Sequence, residues 1–285
     1  MKAVRSLAER SDDERVMAGG RGCRVCAAEA RPIFSGTVLG RNVEYQECDA
    51  CGYVQTETPT WLDQAYGSAI GAADTGILQR NRRSARLVVR MLAMLGLLRG
   101  RVIDSAGGYG LLVRMLRDWG VDARWEDRYC DNLVARGFEA AADDRADLLT
   151  AFEVMEHLVS PLADLQRLCA RAPHVLVSTS LIPEPTPPLQ DWWYYAPSAG
   201  QHIGFYRLRT LEHLAKQLGR RVFSDSRSFH LFTSAASITP LQFAWARKTA
   251  ALAPLMARLR LESLTWDDFH ATERQAAAAQ EPRDA

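Results

Sequence analysis

Residues 101–127 read RVIDSAGGYGLLVRMLRDWGVDARWED and decide the fold that we expect for this chain. A short apolar run ends at Asp104 and leads into a glycine-rich turn over 105–110. A second short strand, 123–126, ends at Asp127, whose carboxylate suits the two ribose hydroxyls of an adenosine ligand. Strand, glycine-rich turn, helix and strand predict a nucleotide-binding α/β domain, because glycines let the backbone approach a ligand closely. The residues at helical spacing are Leu111, Leu112, Met115 and Leu116.

The turn after Asp104 differs from a dinucleotide site. A G-x-G-x-x-G fingerprint leads with glycine because a pyrophosphate binds at the helix N-terminus. Here the pattern is D-x-A-x-G-x-G, in which Asp104 would repel a phosphate but suit the cationic end of S-adenosylmethionine. The alternative is a tight turn that serves only close packing of strand and helix. The candidate cofactor-binding residues are Asp104, Ala106, Gly107, Gly108, Gly110, Asp127 and, at the end of a later strand, Phe152.

Four of the six cysteines form two C-x-x-C pairs, Cys23 with Cys26 and Cys48 with Cys51. Four soft thiolates at this spacing predict tetrahedral zinc, and the weakly alternating segment between the pairs predicts a hairpin. A site filled by four cysteines leaves no position for water, so we expect a structural Zn²⁺ rather than a catalytic one.

Three stretches carry a resemblance to a known family: residues 104–110 (DSAGGYG), 126–132 (EDRYCDN) and 149–158 (LTAFEVMEHL). Together they resemble the core of a class I S-adenosylmethionine-dependent methyltransferase. With the cysteines in front, the chain resembles more narrowly the branch with an N-terminal zinc module, which includes sugar-nucleotide C-methyltransferases. The resemblance implies an α/β, Rossmann-like methyltransferase sheet with a small zinc-binding module and a helical C-terminal extension. Ala106 stands where the family usually has its first motif glycine; alanine is small enough to allow cofactor binding, provided that its φ is negative.

The chemistry implied by this resemblance is in-line methyl transfer, in which the protein aligns the acceptor, excludes water and removes a proton. Histidine titrates near working pH, so His202 and His157 are the first candidates for the proton. Glu153 and Tyr206 are further catalytic candidates from the same stretches. We expect both histidines to face one cleft. Tyr66, Asp74 and Arg80 precede the core and are candidates for contact with cofactor or substrate.

Three alternatives stay open. Glu153, Glu156, His157 and His202 are similar to a set that holds a divalent cation, such as Mg²⁺, in small-RNA and catechol-type O-methyltransferases; otherwise this string simply ends a strand and starts a helix. An RNA methyltransferase would use the zinc module as a grip, but a net charge of +1 and no basic cluster near the cysteines argue against nucleic acid. A cofactor-binding protein without catalysis is the third. We therefore expect a small-molecule acceptor, a sugar nucleotide or natural-product intermediate; the acceptor's identity, the atom methylated and the oligomeric state stay open.

The length and composition limit the number of domains that the chain can form. At 285 residues and 47% hydrophobic content, it has room for one α/β domain and an appendage. We expect a disordered segment over 1–20, a zinc-binding module over 21–60, a methyltransferase domain over 61–235 and a helical extension over 236–285. No apolar run approaches the ~20 residues needed to span a bilayer, and the N-terminus lacks the apolar stretch of a signal peptide. These features predict a cytoplasmic protein with no membrane partner.

Local patterns predict the remaining elements. Helices are expected over 77–97, from Asn132 to Arg136, from Pro161, from Thr210 to Leu218 and over 240–261 with a kink at Pro254, before a frayed end from Thr272. Buried strands are expected over 148–152 and 174–178, with a hairpin over 221–233.

Residues 182–195 combine four prolines with Trp192, Trp193, Tyr194 and Tyr195. A stiff aromatic segment beyond a strand end predicts a lid over the acceptor. The alternative is aromatic packing onto the body of the protein.

Overall fold

The structure is a computed structural model that describes residues 21–66 and 74–280. The chain divides into two compact units. The first comprises Met1–Gly67, Glu153–Arg167 and Ser178–His230, and the second comprises Ser68–Phe152, Leu168–Val177 and Leu231–Ala285. The segment 1–20, which we expected to be disordered, lies outside the described residues.

The strands are β1 (Arg31–Val38), β2 (Arg41–Glu47), β3 (Val54–Thr56), β4 (Val102–Ser105), β5 (Ala123–Glu126), β6 (Leu148–Phe152), β7 (His174–Ser178), β8 (Gly204–Phe205), β9 (Arg221–Ser224) and β10 (Phe229–Thr233). The α-helices are α1 (Leu62–Ala65), α2 (Ile77–Met94), α3 (Leu111–Asp118), α4 (Pro161–Arg171), α5 (Leu208–Gln217), α6 (Pro240–Lys248), α7 (Ala253–Arg260) and α8 (Thr265–Gln280). None of these helices is both long and apolar enough to cross a membrane.

The larger sheet has six strands in the order β5-β4-β6-β7-β10-β9. β4 pairs in parallel with β5 on one side and with β6 on the other, so the chain reverses its direction of winding at β4. Val102, Ile103 and Leu149 are completely buried, as the apolar runs of parallel strands require. The α/β, Rossmann-like fold class is therefore confirmed. The carboxyl end of β4, beside the reversal, is where such sheets bind ligands.

The smaller sheet has the order β1-β2-β3-β8 and is antiparallel. Its β1–β2 hairpin confirms the hairpin expected between the cysteine pairs. One face of this sheet packs into an aromatic core. Tyr194 and Tyr195 belong to that core and are only 1% exposed, whereas Trp193 is 79% exposed. The interpretation of 182–195 as a free lid is therefore wrong for the two tyrosines, because their rings are needed to fill the space under this small sheet.

The segment 131–136 is not the helix that we expected. Asn132 Oδ1 does accept a hydrogen bond from the amide three residues on, at 2.9 Å, as a helix cap would. The amides of Leu133 and Val134, however, both donate to the carbonyl of Tyr109 at 3.2 Å. The chain therefore stays pinned to the glycine-rich turn instead of winding into a helix.

Helix α5 begins at Leu208, two residues before the start at Thr210 that the sequence predicts, so Thr210 does not cap this helix. The amide of Arg207 donates to Thr210 Oγ1 at 3.1 Å, and the Thr210 hydroxyl donates to the carbonyl of Cys51 at 2.9 Å. Thr210 thus fixes the first turn from within the helix and ties it to the cysteine-containing loop.

The stretch 240–261 is two helices, α6 and α7, rather than one kinked helix. Pro254 has no amide hydrogen, and its ring clashes with the carbonyl four residues earlier, so a continuous helix cannot form there. The break falls at Thr249 and a short 3₁₀ turn, and Pro254 occupies the first turn of α7, where proline is tolerated. Helix α8 continues to Gln280, so the frayed end expected from Thr272 is also wrong.

A buried ion pair fixes α8 to its own unit. Arg117 donates to both oxygens of Asp268 at 2.6 and 2.8 Å, and Arg114 contacts the same carboxylate at 2.8 Å. The Arg117 guanidinium also lies 3.8 Å from the centre of the Phe138 ring. These contacts confirm the helical C-terminal extension; the exact domain limits stay a prediction.

Candidate functional site

The four cysteines of the two C-x-x-C pairs come together. Their Sγ atoms lie within 4.8 Å of one another, and Cys23–Cys51 and Cys26–Cys48 are each 3.5 Å apart. With Zn–S bonds of about 2.3 Å, tetrahedral geometry places thiolates about 3.8 Å apart, so this group has the size of a zinc site. Gly52 has a φ of +75° and its amide donates to the carbonyl of Cys48 at 2.7 Å, which closes the turn around the group.

The first cysteine knuckle holds the strand that follows His202. Arg24, between the first two cysteines, donates from its guanidinium to the carbonyl of Ile203 and from its amide to Gln55 Oε1 at 2.9 Å. Gln55 lies in β3, which pairs with β8 immediately beyond Ile203. The fold of the cysteine knuckle therefore sets the position of the backbone next to His202.

Two histidines and a glutamate form a second group in the same unit. The rings of His157 and His202 have their centres 5.0 Å apart. His202 Nδ1 donates to the carbonyl of Tyr194 at 2.6 Å, and His157 Nδ1 lies 2.8 Å from the hydroxyl of Tyr66. Glu156 Oε1 is 4.0 Å from His157 Nε2. We call Glu156, His157 and His202 the histidine–glutamate cluster.

The backbone after β6 is shaped to present this cluster. Glu153 adopts a φ of +54°, a left-handed conformation that is costly for a residue with a side chain. Ser178 holds it there, since its hydroxyl donates to Glu153 Oε1 at 2.6 Å and accepts the Glu153 amide at 2.8 Å. A 3₁₀ turn, Met155–His157, follows, and the carbonyl of Glu156 accepts the amide of Ile203 at 2.8 Å. The sharp reversal at Glu153 thus brings residue 156 against the segment that carries His202 and leads into β8.

Burial sets the protonation of the cluster. It raises the pKa of Glu156 to about 8, and the charge of Glu153 raises it further, while nearby hydroxyls of Tyr194 and Thr179 oppose the shift. Burial, with a smaller contribution from His202, lowers the pKa of His157 to about 3. Burial also lowers the pKa of His202, although its bond to the Tyr194 carbonyl favours the charged form. Burial therefore favours the neutral form of both imidazoles, in which one ring nitrogen keeps its lone pair, and it makes His157 a weak base.

The glycine-rich turn lies at the carboxyl end of β4. Asp104, the last acidic residue of that strand, is buried and accepts the Thr150 hydroxyl at 2.6 Å. Burial raises the pKa of Asp104 to about 7; the Thr150 bond opposes this shift and the charge of Asp127 adds to it. A Cβ at Gly107 would lie 2.7 Å from the Trp125 ring and 3.1 Å from Asp104 Oδ2, so only glycine fits.

Asp127 connects this turn to the loop after β5. Its Oδ2 accepts the amide of Gly108 at 2.9 Å, and its Oδ1 accepts the amides of Tyr129 and Cys130 at 2.7 and 2.9 Å. Ala106 has a φ of +64°, so the negative φ that we set as a condition for alanine at this position is not observed. A left-handed backbone is costly for a residue with a Cβ, and the exposed Ala106 bears that cost here.

The comparisons with known proteins bear on this arrangement of sheet and turn. A family described as "Methyltransferase domain" matches residues 77–224, which is slightly more than half of the chain. The chain belongs to this methyltransferase family. No curated protein matches the sequence.

Among solved structures, this methyltransferase-family chain is similar to CalO1, a methyltransferase in calicheamicin biosynthesis in its SAH-bound form (17% identity, 54% of each chain, TM-score 0.39). It is also similar to the magnesium protoporphyrin IX methyltransferase of Synechocystis PCC 6803 with bound SAH (15% identity, 61% of this chain and 93% of that one, TM-score 0.43). A third is human N-acetylserotonin methyltransferase in complex with SAM (15% identity, 62% and 66%, TM-score 0.41). The chain spans 54% of CalO1 and 62% of TnmH, another similar structure.

The remaining candidates from the sequence make the following contacts, beginning with those that precede the core. Tyr66 reaches His157, but Asp74 instead pairs with Arg80 in an ion pair. Tyr206 is completely buried and its hydroxyl donates to the carbonyl of Met155 at 2.7 Å, which gives it a structural contact beneath the cluster.

Sequence reasoning missed two hydroxyls that hold acidic residues in place. Thr150 fixes Asp104, and Ser178 fixes Glu153. Thr150 is the one polar residue of the buried strand β6, and Ser178 ends the buried strand β7, whose only other polar residue is His174; these exceptions to the apolar pattern were the available signal.

Proposed function

We propose that this chain transfers a methyl group from S-adenosylmethionine to a small-molecule acceptor. The observation that carries the proposal is the turn after β4 in a chain of the methyltransferase family. The turn combines a glycine without room for Cβ, the buried acid Asp104 and the cross-linking acid Asp127. When bound, the cofactor supplies a methyl group on a positively charged sulfonium. Asp104 would stabilise its cationic end, and Asp127 would accept its ribose hydroxyls while it continues to hold Gly108.

The histidine–glutamate cluster supports a role in removing the acceptor's proton. Neutral imidazoles with one nitrogen already hydrogen-bonded leave the other nitrogen to accept a proton. In His202 that nitrogen is Nε2, because the Tyr194 carbonyl holds the Nδ1 hydrogen. We propose His202 as the main proton acceptor and His157 as the second. The held carboxylate of Glu153 would stabilise the charge that forms.

For the four cysteines we propose a structural zinc ion. Cysteine is the only ligand type in the group, so the ion would have no position left for a substrate. Its role would be to fix the knuckle from which Arg24 reaches the strand beside His202. This scaffold role does not call for an RNA partner, and the net charge of +1 gives nucleic acid no general attraction.

The test is methyl transfer from a cofactor that carries an isotopically heavy methyl group. Candidate acceptors, sugar nucleotides and hydroxylated natural-product intermediates among them, are incubated with the protein, and products are read by mass spectrometry. Removal of a proton acceptor should lower turnover by about 10²–10⁴ in His202→Ala, with cofactor affinity near the parent value. His157→Ala is the internal comparison, and His270→Ala, at an exposed position on α8, is the matched control.

If His157→Ala abolishes turnover while His202→Ala stays active, the two roles are exchanged. If neither variant differs from the His270→Ala control, the cluster takes no part in the reaction. A protein that binds the cofactor but labels no acceptor would favour the cofactor-binding alternative.

A further inference from the structure

We infer that Glu156, His157 and His202 form a binding site for one divalent transition-metal ion, separate from the four cysteines. One ligand atom from each of the three side chains lies within 4.8 Å of the other two. Ligands at about 2.1 Å from a tetrahedral ion stand about 3.4 Å apart, so small side-chain rotations would close the group onto an ion.

The carboxylate of Glu156 is the first feature that favours a metal ion. Its side chain is completely buried, and among the described residues no donor meets either oxygen with hydrogen-bond geometry. An unpaired buried carboxylate is costly, and buried charges are ordinarily paired or coordinate metals. The nearest polar ring atom is His157 Nε2, at 4.0 Å. A cation between the two would pair with this carboxylate, whose polar neighbours are otherwise the hydroxyls of Tyr194 and Thr179.

The two imidazoles are oriented as metal-binding histidines are. A histidine that binds a metal through one ring nitrogen usually donates the other N–H to a carbonyl, carboxylate or water. His202 does this through Nδ1 to the Tyr194 carbonyl, so Nε2 carries the free lone pair. His157 has the Tyr66 hydroxyl at its Nδ1, which leaves its Nε2 facing Glu156. Both rings are therefore already held as outer-shell contacts hold metal ligands.

The donor set selects the ion. Two imidazoles and one carboxylate suit Zn²⁺, Fe²⁺ or Co²⁺, whereas Mg²⁺ requires a nearly complete set of oxygens. The Mg²⁺ that the sequence suggested therefore fits poorly. Glu153 drops out of the suggested set, since its carboxylate accepts the Ser178 hydroxyl and is not among the three grouped ligands.

Three protein ligands leave a coordination position open, as catalytic zinc sites do. The His157 side chain keeps 20% of its surface exposed, so the cluster can be reached from solvent. This part rests on the proposed function: an acceptor hydroxyl bound in the open position would lose its proton more readily. The two histidines would then act as ligands, and the ion rather than an imidazole would promote loss of the acceptor's proton.

The experiment is a Co²⁺ titration of the full-length protein. The protein is first dialysed against a chelator until about one zinc per chain remains, the number that the four-cysteine site would retain. Binding is followed by the visible absorption of Co²⁺, and thiolate-to-cobalt absorption in the near ultraviolet shows whether cysteines are involved. We expect one Co²⁺ per chain without thiolate absorption. Tyr66→Phe should weaken it by about 10–100-fold, and Glu156→Gln or His202→Ala by more.

His270→Ala should bind Co²⁺ as the parent does, because that histidine lies outside the cluster. The inference is overturned if the parent binds no Co²⁺, if binding shows thiolate absorption, or if Glu156→Gln binds as tightly as the parent. Glutamine has the shape of the buried acid, so the variant keeps its fold. Full turnover in chelated, zinc-retaining protein that binds no Co²⁺ would remove this inference and leave the proposed function standing. Co²⁺ binding by a protein that does not bind the cofactor would support this inference and remove the proposed function.

Discussion

Asp104 should make the binding of S-adenosylmethionine depend on pH. The free protein holds this carboxyl with a pKa of about 7, because burial disfavours its charge more than the Thr150 hydroxyl stabilises it. A cationic ligand needs the ionised form, so below this pKa binding must first release a proton. Affinity should therefore rise as the pH rises through 7 and level off above it. The perturbation that isolates the effect is Asp104→Asn, which keeps an oxygen for Thr150 but cannot ionise.

The size of the effect follows from the pKa. Raising the pH from about 6 to about 7.5 increases the ionised fraction, and with it the affinity, by about eightfold, or about 1.2 kcal/mol. His157 and His230 do not titrate between these pH values, because the pKa of His157 is lowered to about 3 and that of His230 to about 4. Glu156, with a pKa of about 8, titrates close to this pH range, so Glu156→Gln is the control.

The assay is calorimetric titration with S-adenosylmethionine at both pH values, in two buffers of different ionisation enthalpy. The parent and Glu156→Gln should release close to one proton per cofactor bound at the lower pH and gain the full increase in affinity. Asp104→Asn should release none and bind weakly at both, and any pH dependence it retains belongs to the ligand's own amino group. Equal affinity of the parent at both pH values, without proton release, would refute the assignment of Asp104 to the cationic end.

Three further outcomes are expected. Elemental analysis should find about one zinc per parent chain, and Cys48→Ser should lose it and melt at a lower temperature; an unchanged melting curve would show that the metal does not hold this fold. Arg24→Ala should keep its zinc, yet lose about 10–100-fold in kcat because the strand beside His202 shifts; unchanged kcat would contradict the scaffold role. Asp268→Ala should lower the free energy of unfolding in urea by about 1.5–3 kcal/mol, since two nitrogens of the buried Arg117 lose their carboxylate partner while a third keeps Asp122. The exposed neighbour Asp267→Ala should change it by less than about 0.5 kcal/mol, and equal losses would refute the anchoring of α8.

The sequence predicts those parts of the fold that depend on residues close together in the chain. The turn over 105–110 and the buried run of β6 each signal their structure within a few residues. The cysteine pairs do the same, since ligand spacing alone fixes a knuckle. These signals placed the sheet, the turn and the Cys23–Cys51 group correctly without knowledge of any distant contact.

The parts that failed depend on contacts between distant residues. Tyr194 has a large apolar ring with a polar tip, and such a residue suits a lid or a core equally well until the small sheet beneath it is known. Asn132 made a good cap, but the carbonyl of Tyr109 captured the amides that a helix would have used. The positive φ of Ala106 could not be read from alanine, which seldom adopts it. In the cluster, the neighbours of Glu156 and His202 come from segments far apart in sequence.

Binding of S-adenosylmethionine at the turn after β4 can be tested directly through Ala106. Its side chain is exposed in the free protein, so Ala106→Leu adds bulk over the turn with little effect on packing, and Ala106→Gly relieves the left-handed strain. Calorimetry with S-adenosylmethionine should show one cofactor per chain for the parent and the glycine variant, and none for the leucine variant at an unchanged melting temperature. A parent that does not bind, or a leucine variant that binds as tightly as the parent, would contradict the account.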